Sequence, residues 1–300
     1  MAKKYDFVVI GGGLVGCMAS LSISSKNKSV CLIEKNKINK IITDDYSPLS
    51  LSINSVNFLK EKNIWDENLI KSNLIESLYI KLFNSFNTIK ISTSDINFES
   101  IGQVVDKASF LSYLRNLSKK NKNIDVIDNT ELDIKQMESL SKIYLPNESE
   151  AIDFGQLIVT DGANSKFAEK LNIPYKNINY DQTSYIFNGE YDSMEKSTAQ
   201  IFTDKGVFAV LPGNGNKKSI VATIHNQFID DFKFESNTVN ENLLVRQLLP
   251  YVKNLKNLKL IYKHPLNTAR LDSWFFKKTL FLGNSSQLLH PFGAQGFNFA

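Results

Sequence analysis

The 300-residue sequence predicts an α/β fold with an inserted, mainly antiparallel β domain, and three observations carry that expectation. The chain opens with an apolar β-branched run, a glycine-rich turn, a helix-like stretch and a second apolar run closed by an acid. Buried-strand runs of the same character recur at 156–160 and 279–282. Between them, from about Tyr175 to Thr223, the pattern turns aromatic and β-branched, with turns at Gly189, Gly206 and Gly213-Asn214-Gly215. Such a shift separates an α/β region from a mostly β one.

In order along the chain, Tyr5–Ile10 is a strand, a helix follows to about Lys26, and Ser29–Ile33 is a second buried strand closed by Glu34. Val56, Leu59 and Lys60 recur at helical spacing and predict a helix over 52–62. Strands are expected at Ser77–Phe83 and Thr88–Ser92. Asp106 has the character of an N-cap for a helix to Lys120, with Phe110, Leu111, Leu114 and Leu117 as its apolar stripe. Short alternating segments between Ile124 and Phe154, with turn-formers Asp128-Asn129 and Pro146-Asn147, predict an antiparallel meander. Asn240–Leu255 has a helical pattern. Domain boundaries follow: 1–75, 98–170 and 265–300 form a discontinuous α/β domain, and 76–97 with 171–264 form the inserted one.

Composition narrows the classes. The chain is 42% hydrophobic and 22% charged with 14 Gly and 7 Pro, which excludes collagen-like, disordered and linker-dominated chains. No apolar run reaches about 18 residues, the length of a membrane-spanning helix. The run Phe7-Val8-Val9-Ile10 is too short for the core of a signal peptide. The net charge of +4 is spread among Asn and Ser, densest at Lys119-Lys120-Asn121-Lys122, and reads as a solvated surface with a mild pull toward anionic lipid. Nucleic acid is not an expected partner. Cys17 and Cys31 lie in apolar segments and are read as buried, reduced thiols. With three His and no paired Cys, no metal site is expected. His225 and His264 are read as structural or solvated.

Gly11, Gly13 and Gly16 fit a G-x-G-x-x-G turn between strand and helix. The first glycine allows the tight turn, the second lets backbone approach a pyrophosphate, and the third lets the helix pack closely. Helix-terminal N–H groups favour the phosphate's charge. Glu34, eighteen residues past Gly16, sits where an acid accepts hydrogen bonds from a ribose diol. The turn by itself does not separate FAD from NAD. Two later motifs bear on that question. One is the strand Leu157-Ile158-Val159-Thr160 ending in Asp161-Gly162. The other is Phe281-Leu282-Gly283-Asn284, followed by His290-Pro291 and Gly293-Ala294-Gln295-Gly296-Phe297-Asn298.

With these motifs the chain resembles the FAD-dependent aromatic-ring hydroxylases, the single-component flavin monooxygenases, and within them the ubiquinone-biosynthesis hydroxylases. The resemblance runs from Tyr5 to Ala300. It includes Ser50-Leu51-Ser52, Ile64-Trp65-Asp66, Ile101-Gly102-Gln103-Val104-Val105, Thr198-Ala199-Gln200 and Gly206-Val207-Phe208-Ala209-Val210-Leu211-Pro212. It implies a Rossmann-like FAD-binding domain of the p-hydroxybenzoate hydroxylase kind with an inserted substrate domain. Gly11, Gly13 and Gly16 would hold the FAD pyrophosphate and Glu34 the adenosine ribose. Asp161 and Gly162 would serve the fingerprint that touches flavin nucleotide and pyridine-nucleotide reductant, and Gly283 and Asn284 the ribityl chain. Pro291, Gly293, Gln295, Gly296 and Asn298 would wrap the isoalloxazine ring, with His290 a candidate contact.

The implied reaction is hydroxylation of a polyprenyl-phenol ring by O₂ through a flavin C4a-hydroperoxide, with NAD(P)H as reductant. No catalytic side chain is assigned, because the implied chemistry needs positioning and water exclusion and no protein nucleophile. The implied setting is a cytoplasmic protein able to lie against the inner membrane and to join a biosynthetic complex. Two alternatives stand beside it: a prenyl reductase or epoxidase of the same group, and a degenerate or truncated flavoprotein acting as a non-catalytic subunit.

Four positions depart from the family pattern. Asn284 replaces an Asp, Ser285-Ser286-Gln287 replaces Ala-Ala-His, Ser47 stands near a usual Arg, and Ala222-Thr223 stands where an aromatic is usual. The C-terminus is short against the family, so the last ten residues are expected to be poorly anchored, without ordered helix packing over 296–300.

Overall fold

The structure, a computed structural model, describes residues 3–38, 46–132, 137–139, 141–146, 151–192, 196–213, 217–234, 241–248, 251–291, 293 and 295–299. The opening unit forms as its sequence dictates. Strand β1 (Lys3–Ile10) leads through the glycine turn into helix α1 (Leu14–Ser24) and strand β2 (Val30–Ile33). β1 is the middle of a parallel sheet: β2 and Ile124–Ile127 lie on one side, Ala151–Val159 and Thr279–Phe281 on the other. Phe275–Phe276 adds an antiparallel edge. In chain order that is 3-2-1-4-5 for the parallel strands, the doubly wound arrangement whose strand order reverses beside β1.

The expected meander is corrected at its first strand. Ile124–Ile127 pairs in parallel with β2, register Val30 to Ile124 through Ile33 to Ile127. The segments 137–139, 142–144 and the start of Ala151–Val159 do pair antiparallel. Helix Lys107–Lys120 returns the chain across the sheet and so delivers Ile124 to a parallel edge.

Two of the expected helices start where the sequence places them, one of them at its predicted cap Asp106. Ser52 accepts from Ser55 N–H at the start of Ile53–Glu61, and Asp106 accepts from Ser109 N–H at 2.9 Å at the start of Lys107–Lys120. The helix expected over Asn240–Leu255 covers only Glu241–Leu248 among the described residues, and from Lys253 the chain is a strand. Pro250, which has no N–H to donate, lies between them.

The second large sheet has the order 287–288, 253–271, 175–192, 217–225, 206–211, 197–202, 77–81, 88–92. All pairings are antiparallel except that of Ser197–Phe202 with Ser77–Lys81. Its two long strands, Tyr175–Asp192 and Lys253–Leu271, were not foreseen as single elements. Period-two alternation decides its faces. Tyr185, Ala222, Phe208 and Ile201 are cross-strand neighbours and buried. They are covered by Phe232, Phe234, Leu244 and Leu248, with ring centroids 4.8 Å apart for Tyr185–Phe234 and Phe232–Phe234. A small antiparallel sheet of Pro48–Ser52, Gly102–Asp106 and Ser72–Ile75 completes the fold.

The expectation for the C-terminus is also corrected. Helix Gln295–Asn298 is anchored: Asn298 Oδ1 accepts from Ser52 N–H and Ser55 Oγ–H, each at 2.8 Å, and its Nδ2 donates to Ser50 O at 3.0 Å. Phe297 packs against the core beneath α1. One amide side chain and one ring hold this turn, so it needs no long helix of its own to nucleate. Replacing Asn298 by Ala strands the Ser52 N–H, and a destabilisation of about 1–3 kcal/mol is expected. Hydrogen exchange is the check: Ser52–Ser55 should lose protection while β1 keeps it.

Candidate functional site

The glycine turn is built by close approach. Gly11 has φ +101°, and a Cβ there would lie 2.4 Å from Thr160 O. A Cβ on Gly16 would lie 1.8 Å from Gly11 O. Both positions are closed to any side chain. Gly13 is the reverse case: a Cβ there would meet nothing within 4 Å, so the turn opens outward at its second glycine. α1 starts at that point with no side-chain cap and no acid in its first turn, which leaves its N–H end available to an anion.

Glu34 is 6% exposed and faces this turn. Its Oε2 accepts from Gly12 N–H at 2.6 Å, and its Oε1 accepts from Asn36 N–H at 2.9 Å and Asn36 Nδ2 at 3.1 Å. The carboxylate is thus oriented by backbone, with acceptor capacity left on Oε2 for a hydroxyl.

Two residues of this site were missed in the sequence. Arg115, 8% exposed, donates through Nε to Gly12 O at 2.9 Å and through Nη1 to Ile38 O at 3.3 Å, tying the turn to the segment after β2. Its signal was a cation next to Leu114 in an otherwise apolar helix stripe. Thr160 donates its hydroxyl to Ile10 O at 2.8 Å and Gly11 O at 2.9 Å, closing the crossing between β1 and its neighbour. Nothing local to Thr160 shows that in the sequence.

The later motifs converge on the same end of the sheet. Asp161 and Gly162 (φ +93°) follow Thr160 directly. Asp161 Oδ2 accepts from Ser165 Oγ at 2.9 Å, whereas its Oδ1 is buried with no hydrogen bond. Burial pushes this carboxyl up, against the pull of the Ser165 hydroxyl and of backbone N–H groups at Phe167 and Lys166. Gly283 (φ +64°) rests on Val15 of α1, where a Cβ would approach to 2.9 Å. Asn284 is exposed, so the loss of charge there falls at solvent.

The serines that replace small apolar residues are put to use. Ser285 Oγ donates to Val159 O and Leu282 O at 2.7 Å, Ser286 Oγ donates to Gly283 O at 2.9 Å, and Tyr175 Oη donates to Ser285 O at 2.7 Å. Pro291 and Gly293 are exposed, and Gly296 has open space where a Cβ would be. The Gln295 side chain and the whole of Phe292 and Ala294 lie outside the described residues.

His290 reaches away from the turn toward the second sheet. Its Nε2 lies 3.0 Å from Gln182 Oε1, and Gln182 Nε2 lies 3.1 Å from His225 Nε2. Tyr180 meets the His290 ring edge-on at 5.0 Å, and burial pushes the imidazole below its ordinary range. The segment before Pro48–Ser52 meets the large antiparallel sheet through Tyr46, whose backbone O accepts from Asn188 Nδ2 at 2.7 Å and whose hydroxyl donates to Pro212 O at 3.4 Å. Cys17 and Cys31 are both buried and free, with their thiols pushed up to about 12 by burial. No group of three or more potential metal ligands occurs among the described residues.

These residues fit FAD. An open second glycine at a helix N-terminus suits the pyrophosphate, an oriented carboxylate suits the ribose, and the orphaned Asp161 Oδ1 suits a donor from the ligand. Gly16→Ala should cost about 3 kcal/mol in a thermal melt. Gly13→Ala should leave stability within about 1 kcal/mol while weakening FAD by roughly tenfold or more. Asp161→Asn should raise the melting temperature of the FAD-free protein at neutral pH and weaken FAD. The sign follows from the raised carboxyl: the fold disfavours its ionised form, a penalty present above the carboxylate range and absent once pH falls through it.

Comparison with known proteins agrees with this geometry. The family model for glucose inhibited division protein A matches residues 6–257. The ubiquinone biosynthesis monooxygenase COQ6, mitochondrial, of Caenorhabditis elegans is 23% identical over 99% of this chain and 77% of its own length. A tRNA uridine 5-carboxymethylaminomethyl modification enzyme of Mycoplasma capricolum is 28% identical over 54% of this chain and 25% of its own length. Among solved structures, PqsL, a probable FAD-dependent monooxygenase from Pseudomonas aeruginosa, superposes with a TM-score of 0.76 at 13% identity, covering 99% of this chain and 82% of that one. The fold is that of the FAD-dependent monooxygenases, and the chain belongs to the glucose inhibited division protein A family, carrying its FAD-binding domain.

Proposed function

We propose that the protein is an FAD- and NAD(P)H-dependent monooxygenase that hydroxylates the ring of a polyprenyl-phenol in ubiquinone biosynthesis. One observation carries this reading: one face of the large antiparallel sheet keeps a patch of small aliphatic side chains only partly buried. Ile186, Val221 and Ala209 are direct cross-strand neighbours, flanked by Val207 and Leu211, and all five are only partly buried. The opposite face of the same strands is sealed by aromatic rings. A patch of small aliphatic side chains suits a flat ring with an isoprenoid tail. The parallel sheet and its flanking segments would form the cofactor domain, and the large antiparallel sheet the substrate domain.

When bound, FAD supplies the redox chemistry and the activation of O₂. This chain's residues do the rest. The N–H end of α1 and Glu34 hold the nucleotide, and Gly293 and Gly296 allow backbone close to the ring system. The His290–Gln182–His225 chain and the Tyr46 contacts tie the segments around His290 and Tyr46 to the antiparallel sheet that carries this patch. The sequence has one G-x-G-x-x-G turn and FAD uses it, so NAD(P)H is read as a reductant without a domain of its own.

Similarity to the COQ6 monooxygenase spans nearly the whole chain, whereas the likeness to the tRNA-modifying enzyme covers 54% of it. That contrast favours the phenol over a nucleic-acid substrate. The purified protein with FAD should oxidise NAD(P)H faster when a prenylated phenol is added, and product formed under ¹⁸O₂ should carry one labelled phenolic oxygen. Unlabelled product would replace this reading with a reductase. FAD binding without turnover would replace it with a non-catalytic subunit.

A further inference from the structure

The hairpin formed by Ser77–Lys81 and Thr88–Ser92 lies at the free edge of the large sheet, and its tip does not resemble the rest of the surface. Leu82, Phe83, Phe86 and Ile89 are exposed, with Phe86 fully so. A cluster of four large apolar side chains on one protruding turn marks an interaction surface. We infer that this tip inserts into the headgroup region of an anionic phospholipid bilayer.

Three features favour lipid as the occupant. First, the turn closes part of its own backbone. Ser85 N–H donates to Leu82 O at 3.2 Å, Asn87 N–H donates to Ser85 Oγ at 3.2 Å, and Ser85 Oγ donates to Asn87 O at 3.2 Å, with Asn84 in the left-handed region at φ 56°. A turn closed in this way loses less on leaving water than one that presents bare N–H and C=O groups.

Second, the charges are of one sign and stand at the right depth. The tip 82–87 carries none. Lys81 pairs in register with Thr88, and Lys90 with Tyr79, which places one lysine immediately behind the tip and the other about 7 Å further back at the rise of a strand. Lys90 also lies 5.7 Å from the centre of the Tyr79 ring. This is the arrangement of a lipid-facing apolar end with cations at phosphate level.

Third, no acidic residue occurs between Ser77 and Ser94. The flanking acids are engaged at the base of the hairpin: Glu76 with Lys196 at 2.8 Å, and Asp95 in the capping box of Ser92. As charges the hairpin itself carries only lysines, and the one acid in the adjoining turn, Asp204, stands on the neighbouring strand's end. The described residues include no helix long and apolar enough to cross a membrane.

The inference stands on the hairpin alone and is read without substrate or turnover. The full chain should co-sediment with phosphatidylcholine–phosphatidylglycerol vesicles and much less with phosphatidylcholine alone. Phe83→Ser with Phe86→Ser should weaken that binding at least tenfold while leaving the circular dichroism spectrum and melting temperature unchanged. Lys81→Gln with Lys90→Gln should abolish the preference for anionic lipid. In a separate variant, Phe86→Trp, the fluorescence at position 86 should shift to the blue on adding the anionic vesicles. Equal binding by the wild type and the double serine variant, or no binding by the wild type, overturns the inference. So does a wild-type dimer that the serine variant converts to monomer, because the occupant is then a second copy of the chain.

Discussion

The structure depends on how closely the first turn approaches the neighbouring strand. Gly11 and Gly16 leave no room for a side chain against Thr160 and against each other, and the Thr160 hydroxyl bridges Ile10 O and Gly11 O across the gap. This contact lies where the strand order reverses, so it sets the position of α1 over the sheet and the outward opening at Gly13. Gly283 rests on Val15 of that same helix, and Ser285 hydrogen-bonds to Val159 O. Segments 150 and 270 residues apart in sequence are thereby held at one end of one sheet.

A second layer of constraint joins the two large sheets. The antiparallel sheet is rigid because one face is filled with stacked aromatic rings, and its other face is left half-open. Tyr175 and Leu271, paired at one end of its two long strands, pack into the core of the parallel sheet, where Tyr175 Oη donates to Ser285 O at 2.7 Å and Leu271 N–H donates to Ser286 O at 2.9 Å. Each such hydrogen bond is worth about 1 kcal/mol alone, so the packed side chains carry most of the junction.

The departures from the family pattern read differently once the side chains are placed. Ser285 and Ser286 are buried hydroxyls with carbonyl partners, so the turn at 283–286 has gained hydrogen bonds where apolar residues would supply none. Asn284 is at solvent, where the loss of a charge is weakly felt. Asn298, expected at the flavin, spends its amide on Ser50, Ser52 and Ser55, and in doing so secures a C-terminal turn that chain length alone argued against.

Residue order alone foretells the opening β1–α1–β2 unit, the helix start near Ser52, the N-cap Asp106, the glycine turn with Glu34 behind it and the Asp161-Gly162 corner. Each of these is written in adjacent residues, in caps, turn formers and the period of apolar positions, and is fixed by local sterics and hydrogen bonds. Only the tertiary structure decided that Ile124–Ile127 joins β2 in parallel, that 175–192 and 253–271 are single long strands paired with each other, and that Arg115, Thr160 and Asn298 bind together parts of the site. Those outcomes depend on partners about 60 to 250 residues away. A short apolar run carries the same pattern whichever edge it meets, and a lone Arg, Thr or Asn carries no sign of the carbonyl or N–H it will find.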